Sequence, residues 1–143
     1  FIYLVRVAKE IIQREIKRAT DAVLGETLVE DAYQKSEDKK IIIMEKGYPW
    51  KDILIAKQDV LFVVYPDMQG NKWHAQAVPV SRSSYETRAS FPAEWRGLTN
   101  SDLAKVTEVS DSAFCHNYGF LAVAGSRDGA ILLAQKALSK HTS

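Results

Sequence analysis

His116, Gly119, Gly125, Ser126 and Arg127 crowd one short tract, at the place where a strand pattern gives way to a helix pattern. Such junctions offer an anion the free backbone N–H groups and the positive dipole end of a helix. Ser126 can cap that helix, His116 and Arg127 can donate to phosphate oxygens, and Gly119 or Gly125 allows close backbone approach. The same residues also make sense without a ligand: Ser126 caps, Asp128 complements the dipole, and the glycines turn the chain. Two further cations, Arg88 and Arg96, bracket Phe91-Pro92-Ala93-Glu94-Trp95. Arginine beside aromatics suits gripping a phosphate while a base stacks, and it equally suits anchoring an irregular loop.

Other chemistries are less well supplied. His74, His116 and His141 have no His, Cys or carboxylate partner at a recognised ligand spacing, so this chain alone is expected to hold no metal. Cys115 beside His116 suggests a thiolate pair, yet neighbouring strand residues point to opposite faces, so Cys115 is expected in the core. Glu94, Asp102, Glu108 and Asp111 fall on turns and are expected in solvent. Trp50, Trp73 and Trp95 are isolated from one another and read as core or loop anchors.

With 143 residues, 46% of them hydrophobic and 26% charged, the chain is expected to form one globular domain over 1–143. A net charge of +1 supplies no bulk field for a polyanion, so nucleic-acid binding would depend on a local patch. One cysteine rules out an internal disulfide framework and fits a reducing, intracellular setting, cytoplasmic by default and mitochondrial or nuclear in a eukaryote. No apolar run nears the roughly 18 residues of a membrane span, and the charged N-terminus does not read as a signal peptide, so no membrane partner is expected. The chain opens on Phe1 inside a helical pattern, which suggests a piece of something longer.

These residues need a frame. Val5, Ala8, Ile12, Ile16, Ala19 and Val23 recur at helical spacing, with Gly25 as the expected stop and a second helix over Glu26–Lys35, so residues 1–40 form a helical lead-in. The α/β core then covers 41–143. Ile41–Met44 and Val60–Tyr65 read as strands, and Pro66–Asn71 supplies a turn into an alternating strand from Trp73, giving an antiparallel hairpin. Short helices are expected after Pro49 and over Ser101–Val106, the latter capped by Thr99 or Asn100. Ala113–Cys115 reads as a strand, Gly119–Ala124 as extended or looping, and Ser126–Lys140 as a terminal helix. The expected class is α+β, a mostly antiparallel or mixed sheet with helices packed on it.

The order of short motifs is more specific than any one of them. Gly47-Tyr48-Pro49-Trp50-Lys51, Gln76-Ala77-Val78-Pro79, Ser84-Tyr85-Glu86-Thr87-Arg88, Phe91-Pro92-Ala93-Glu94-Trp95-Arg96-Gly97-Leu98, Phe114-Cys115-His116, Gly119-Phe120 and Arg127-Asp128-Gly129-Ala130 together resemble the C-terminal part of the MYG1 family, related to the DHH phosphoesterases. The resemblance implies a metal-dependent phosphodiesterase with 3′-to-5′ RNA exonuclease activity. Its manganese or magnesium would be held by upstream His-and-Asp-rich motifs that do not occur here. It also implies a substrate-binding domain resembling those that close over the metal site in DHH proteins. The partners it implies are single-stranded RNA or a nucleotide phosphate and an absent N-terminal catalytic domain; no catalytic residue is expected in this chain. His116, Gly119, Arg127, Gly129 and Arg96 match family positions, with Arg88 as an alternative strand-orienting cation. Leu121-Ala122-Val123-Ala124 departs from the family's glycine pair, which implies an altered substrate loop. The rival expectation is a non-catalytic interaction or oligomerisation module, a homodimer through the first helix at Val5 and Ile12.

Overall fold

The computed structural model describes residues 25–142. A helix over residues 25–35, α1, leads into β1 (Ile41–Ile43), α2 (Lys51–Ile55), β2 (Phe62–Pro66) and β3 (Trp73–Ala77). A 3₁₀ turn at Ala93–Trp95 precedes α3 (Asn100–Thr107), β4 (Ser112–Cys115), β5 (Leu121–Ala124) and α4 (Arg127–Thr142). The five strands form one mixed sheet in the order β1-β2-β3-β5-β4, so the α+β class is confirmed.

Among the described residues only β1 and β2 run parallel, with Ile41 opposite Phe62 and Ile43 opposite Val64. A parallel pair needs a crossover of a dozen or more residues, and the stretch carrying α2 provides it. The other pairings are antiparallel: β2 with β3, β3 with β5, and β5 with β4. The hairpin forms as its sequence pattern implies, an apolar strand answered by one that alternates Ala75 and Ala77 inward with His74 and Gln76 on the other face.

Strand alternation sorts the apolar residues into two cores. Against α4, Ile41, Phe62, Val64, Ala75, Ala77, Ala122 and Ala124 meet Ala130, Leu133, Ala134 and Ala137. The alanines on both surfaces bring helix and sheet close together. Phe91 seals this layer, its ring 5.1 Å from Phe62 and 6.0 Å from Trp95. On the opposite face Ile42, Val63 and Val78 pack with Val29, Trp50 and Leu54. Those helical contributors cover the β1–β2 half; His74, Gln76, Phe114 and Leu121 on the other half are only partly buried.

Three local expectations change. Gly25 is helical rather than past a helix end, and the pattern proposed over Phe1–Leu24, with its Val5 and Ile12 face, lies outside the described residues. The segment read as extended or looping contains β5, which is flanked by strands on both sides; its four residues are too few for periodicity to declare them. Ala122 and Val123 therefore sit inside a strand. Ala122 pairs with Ala75 and Cys115 and is fully buried, and neither residue has positive φ, so these positions form sheet rather than the altered loop expected there.

Candidate functional site: a cation-rimmed cleft between two loops

The turn from β4 to β5 is closed by two backbone bonds, His116 N–H to the Leu121 carbonyl at 2.9 Å and Gly119 N–H to the His116 carbonyl at 2.9 Å. Gly119 has φ of 74°, and a Cβ there would lie 2.4 Å from Arg96 Nε. Only glycine fits both demands. Arg96 lies across the glycine and donates from Nε to the Phe91 carbonyl and from Nη2 to Ser90 Oγ, each at 3.2 Å. It ties the segment before the 3₁₀ turn to the β4–β5 turn. His116 Nδ1 accepts the Tyr118 N–H at 3.2 Å, which in the neutral ring leaves the proton on Nε2. The imidazole centroid is 4.4 Å from that of Phe120 and 5.4 Å from that of Tyr118.

The start of α4 is built differently. Ser126 Oγ accepts the Gly129 N–H at 3.0 Å and donates to Asp111 Oδ2, so its hydroxyl is engaged as both acceptor and donor. A Cβ on Gly129 would lie 2.2 Å from Asp111 Oδ1, which places the carboxylate directly over the first helical turn. Asp111 thus occupies the position that an external phosphate would take, and a ligand there would have to displace it. Sequence reasoning put Asp111 among solvated turn carboxylates. Its placement follows from the register of Ser112 opposite Ala124, which sets Asp111 beside Gly125. Arg127 is exposed at the same end.

Arg88 takes the loop-anchoring alternative. Its Nη1 donates to the carbonyls of Lys57 at 2.7 Å, Val60 at 2.9 Å and Leu54 at 3.4 Å, and Nη2 donates to that of Ile55. It caps the C-terminus of α2.

The sequence-nominated residues therefore fall in three places. His116, Gly119 and Arg96 meet at the β4–β5 turn; Ser126, Arg127 and Gly129 lie at the far end of β5, about 15 Å away at a strand rise of ~3.3 Å per residue; Arg88 is bound to the end of α2. One phosphate cannot span His116 and Arg127.

What the β4–β5 turn does border is a cleft of about 890 Å³, walled by Tyr118 and Phe120 on one side and the loop after β3 on the other. Arg82, Ser83, Ser84, Tyr85 and Thr87 come from that loop, Gln76 and Ala77 from β3, and Lys51 from the start of α2. Among the described residues two cations, Lys51 and Arg82, line it. Tyr85 is 103% exposed and Tyr118 81% exposed, while Phe120 is half-buried. Arg82 pairs with Asp52 at 2.7 Å, a pair that is 77% and 64% exposed and correspondingly weak. A neighbouring recess shares Lys51 and Gln76, adds the carboxylates of Glu26 and Asp52, and continues past Trp50 and Tyr65, whose hydroxyl donates to Gln76 Oε1 at 2.6 Å. By contrast, the recess between α1, β1 and α4 is lined by Asp31, Glu37, Asp38 and Glu45 beside Lys35.

Sequence reasoning did not single out Lys51, Arg82, Tyr85 or Tyr118. A signal was present: Gly47–Lys51, Gln76–Pro79, Ser84–Arg88 and Gly119-Phe120, four of the motifs that carry the resemblance, each contribute to this seam.

Among the described residues no three His, Cys, Asp or Glu side chains gather as metal ligands would, so these residues do not fit a manganese or magnesium centre. His74 lies on β3, where burial holds its pKa below the usual histidine range against the opposing pull of Asp67. Cys115 is fully buried, and burial pushes its thiol up to about 11 although Arg96 pulls the other way, which leaves it a poor nucleophile.

Fold and cleft together define an α+β domain with an open, aromatic-edged cleft. The profile of a family described as an uncharacterised protein family (UPF0160) matches residues 1–138, and the chain belongs to that family, MYG1. It is 34% identical to the MYG1 protein of Caenorhabditis elegans over 123 residues, covering 79% of this chain and 36% of that one. It is 30% identical to the MYG1 exonuclease of Rattus norvegicus over 129 residues, 85% of this chain and 34% of that one. With the MYG1 exonuclease of Homo sapiens it shares 28% over 152 aligned positions, 94% of this chain and 40% of the other. The chain thus spans somewhat more than a third of the length of these relatives. No solved structure matches it. Among the described residues no helix is long and apolar enough to cross a membrane.

Proposed function

We propose that this chain is the substrate-binding part of a MYG1-type phosphoesterase, an exonuclease acting on RNA, whose metal-binding catalytic residues lie in the remainder of a longer protein. The observation that carries the reading is the lining of the cleft: among the described residues Lys51 and Arg82, the latter sharing its charge with Asp52 through an exposed ion pair, stand next to three aromatic rings. A near-neutral protein binds a polyanion through a local patch of this kind. His116 backs the same wall through its contacts with Tyr118 and Phe120, and its Nε2–H is a donor with no partner among the described residues. Arg96 and Arg88 hold the frame. Arg127, at the other end of β5, would meet a different stretch of a bound strand. Support for the division of labour comes from the names of the relatives and from the share of their length that is matched.

The test is the affinity of the chain for a fluorescent single-stranded RNA as salt is varied. Replacing Lys51 and Arg82 together by Ala is expected to flatten the log–log salt slope by about 1.4, roughly 0.7 for each phosphate left unpaired. An unchanged slope and affinity would remove the cleft as the phosphate-binding surface. Incubated with Mn²⁺, the chain alone is expected to leave RNA intact, and metal-dependent cleavage would overturn the division of labour.

A further inference from the structure

Two of the rings that flank the cleft are left largely uncovered. Tyr85 and Tyr118 are almost wholly in solvent, on two loops far apart in sequence, and neither hydroxyl has a hydrogen-bond partner among the described residues. A phenol ring normally finds burial for its body and a partner for its tip. The buried rings Phe62, Phe91 and Trp95 pack together on the far side of the sheet. Tyr85 and Tyr118 reach the same opening only because β3 pairs with β5, which brings the loop leaving β3 beside the turn entering β5. Phe120, half-buried against His116 at 4.4 Å, forms the wall beneath Tyr118. Around these rings stand short polar groups, Ser83, Ser84, Thr87 and Gln76, with Lys51 and the Asp52-paired Arg82 at the margin.

We infer that Tyr85 and Tyr118 form a base-stacking subsite for an unpaired nucleobase, with Lys51 and Arg82 holding the flanking phosphates. This rests on the proposed nucleic-acid reading and assigns to it the residues that take the base. Stacking on an aromatic face requires that the base face be free, which an unpaired strand offers and a duplex does not. The charge of the lining fits the same occupant, since a nucleotide presents a flat apolar ring and an anion together. The hydroxyls and the Gln76 amide can meet base edges of either donor or acceptor character, so recognition at this subsite tolerates sequence.

The experiment measures binding of the full chain to a short oligoadenylate, to the same oligomer with abasic positions and to its duplex. Tyr85→Leu and Tyr118→Leu are each expected to weaken oligoadenylate binding about tenfold with the salt slope unchanged, because each removes a stacking platform and leaves every phosphate held. Tyr85→Phe and Tyr118→Phe, which keep the ring, are expected to stay near the parent affinity. Abasic oligomer and duplex are expected to bind the parent weakly and the double Leu variant no worse. Both side chains are exposed, so circular dichroism should show each variant folded. If the Leu variants bind as the parent does while the Lys51 and Arg82 substitutions weaken binding, the base subsite is refuted and the phosphate reading survives. A decrease in the Phe variants equal to that in the Leu variants refutes stacking in favour of hydroxyl contacts. If the parent binds no RNA and a proline-rich peptide displaces a probe attached near Tyr118, the cleft is a peptide groove and both readings fall.

Discussion

Replacing Arg88 by Met separates two jobs that its neighbourhood suggested equally. The structure commits its guanidinium to the carbonyls of Leu54, Ile55, Lys57 and Val60, at the end of α2. Two of these keep backbone donors, since Lys57 N–H reaches the Leu54 carbonyl at 3.0 Å and Val60 N–H reaches that of Lys57 at 3.2 Å. The carbonyls of Ile55 and Val60 depend on the arginine. A polar group stripped of its partner costs about 1–3 kcal/mol, and Arg88 is half-buried, so each belongs at the lower end; the total is about 2–4 kcal/mol. In a chain of this size that lowers Tm by roughly 8–15 °C. Thermal unfolding followed by circular dichroism reads this directly, and Arg88→Lys, with donors too compact to reach every carbonyl, should fall between. RNA affinity measured well below the transition should not move. A Met variant melting within about 2 °C of the parent, with its RNA salt slope reduced by about 0.7, would refute the capping argument and return Arg88 to the phosphate contacts.

Gly119→Ala must displace Arg96 and accept a left-handed backbone, so it should destabilise the fold by about 1–3 kcal/mol in denaturant titration; a neutral effect would mean that the turn relaxes freely. Ser126→Ala removes the cap on Gly129 and the partner of Asp111, for an expected loss of about 1 kcal/mol; Ser126→Asn, which can still cap, should recover part of it, and equal losses would argue that capping is not what Ser126 contributes. Cys115 should resist alkylation at pH 8, where a thiol titrating near 11 is thiolate in about one molecule per thousand, and rapid native labelling would contradict its burial. Because its folded pKa lies above the unfolded value of 9.0, the unfolded chain loses its proton first, and stability should decline between about pH 9 and pH 11. Cys115→Ala should remove that part of the decline.

Where interactions are local, the sequence pattern anticipated the structure. The hairpin was readable because a β-branched run, a Pro-Asp turn and an alternating strand are contiguous, and α4 because Ala130, Leu133, Ala134 and Ala137 recur on one face. What escaped depends on register. Asp111 reaches the start of α4 only through the pairing of β4 with β5, and Arg88 meets carbonyls some 30 residues earlier in the chain. Tyr85 and Tyr118 share a cleft only because β5 inserts between β3 and β4, an order no short window contains. The single anion site imagined across His116 and Arg127 treated the intervening residues as a loop that could fold back. As a strand, β5 keeps its ends apart.

The carboxylate over the start of α4 is tethered, and a tether sets a local concentration. Asp111 is presented to that helix end at no less than the millimolar level reached by linked groups, and it need not be recruited from solution. Free phosphate or sulfate at lower concentration therefore competes poorly, and the stability of α4 should be indifferent to the anion chosen as buffer. The helix carries its own counter-ion, so an anion held in the proposed cleft would have its charge met at the other end of the sheet.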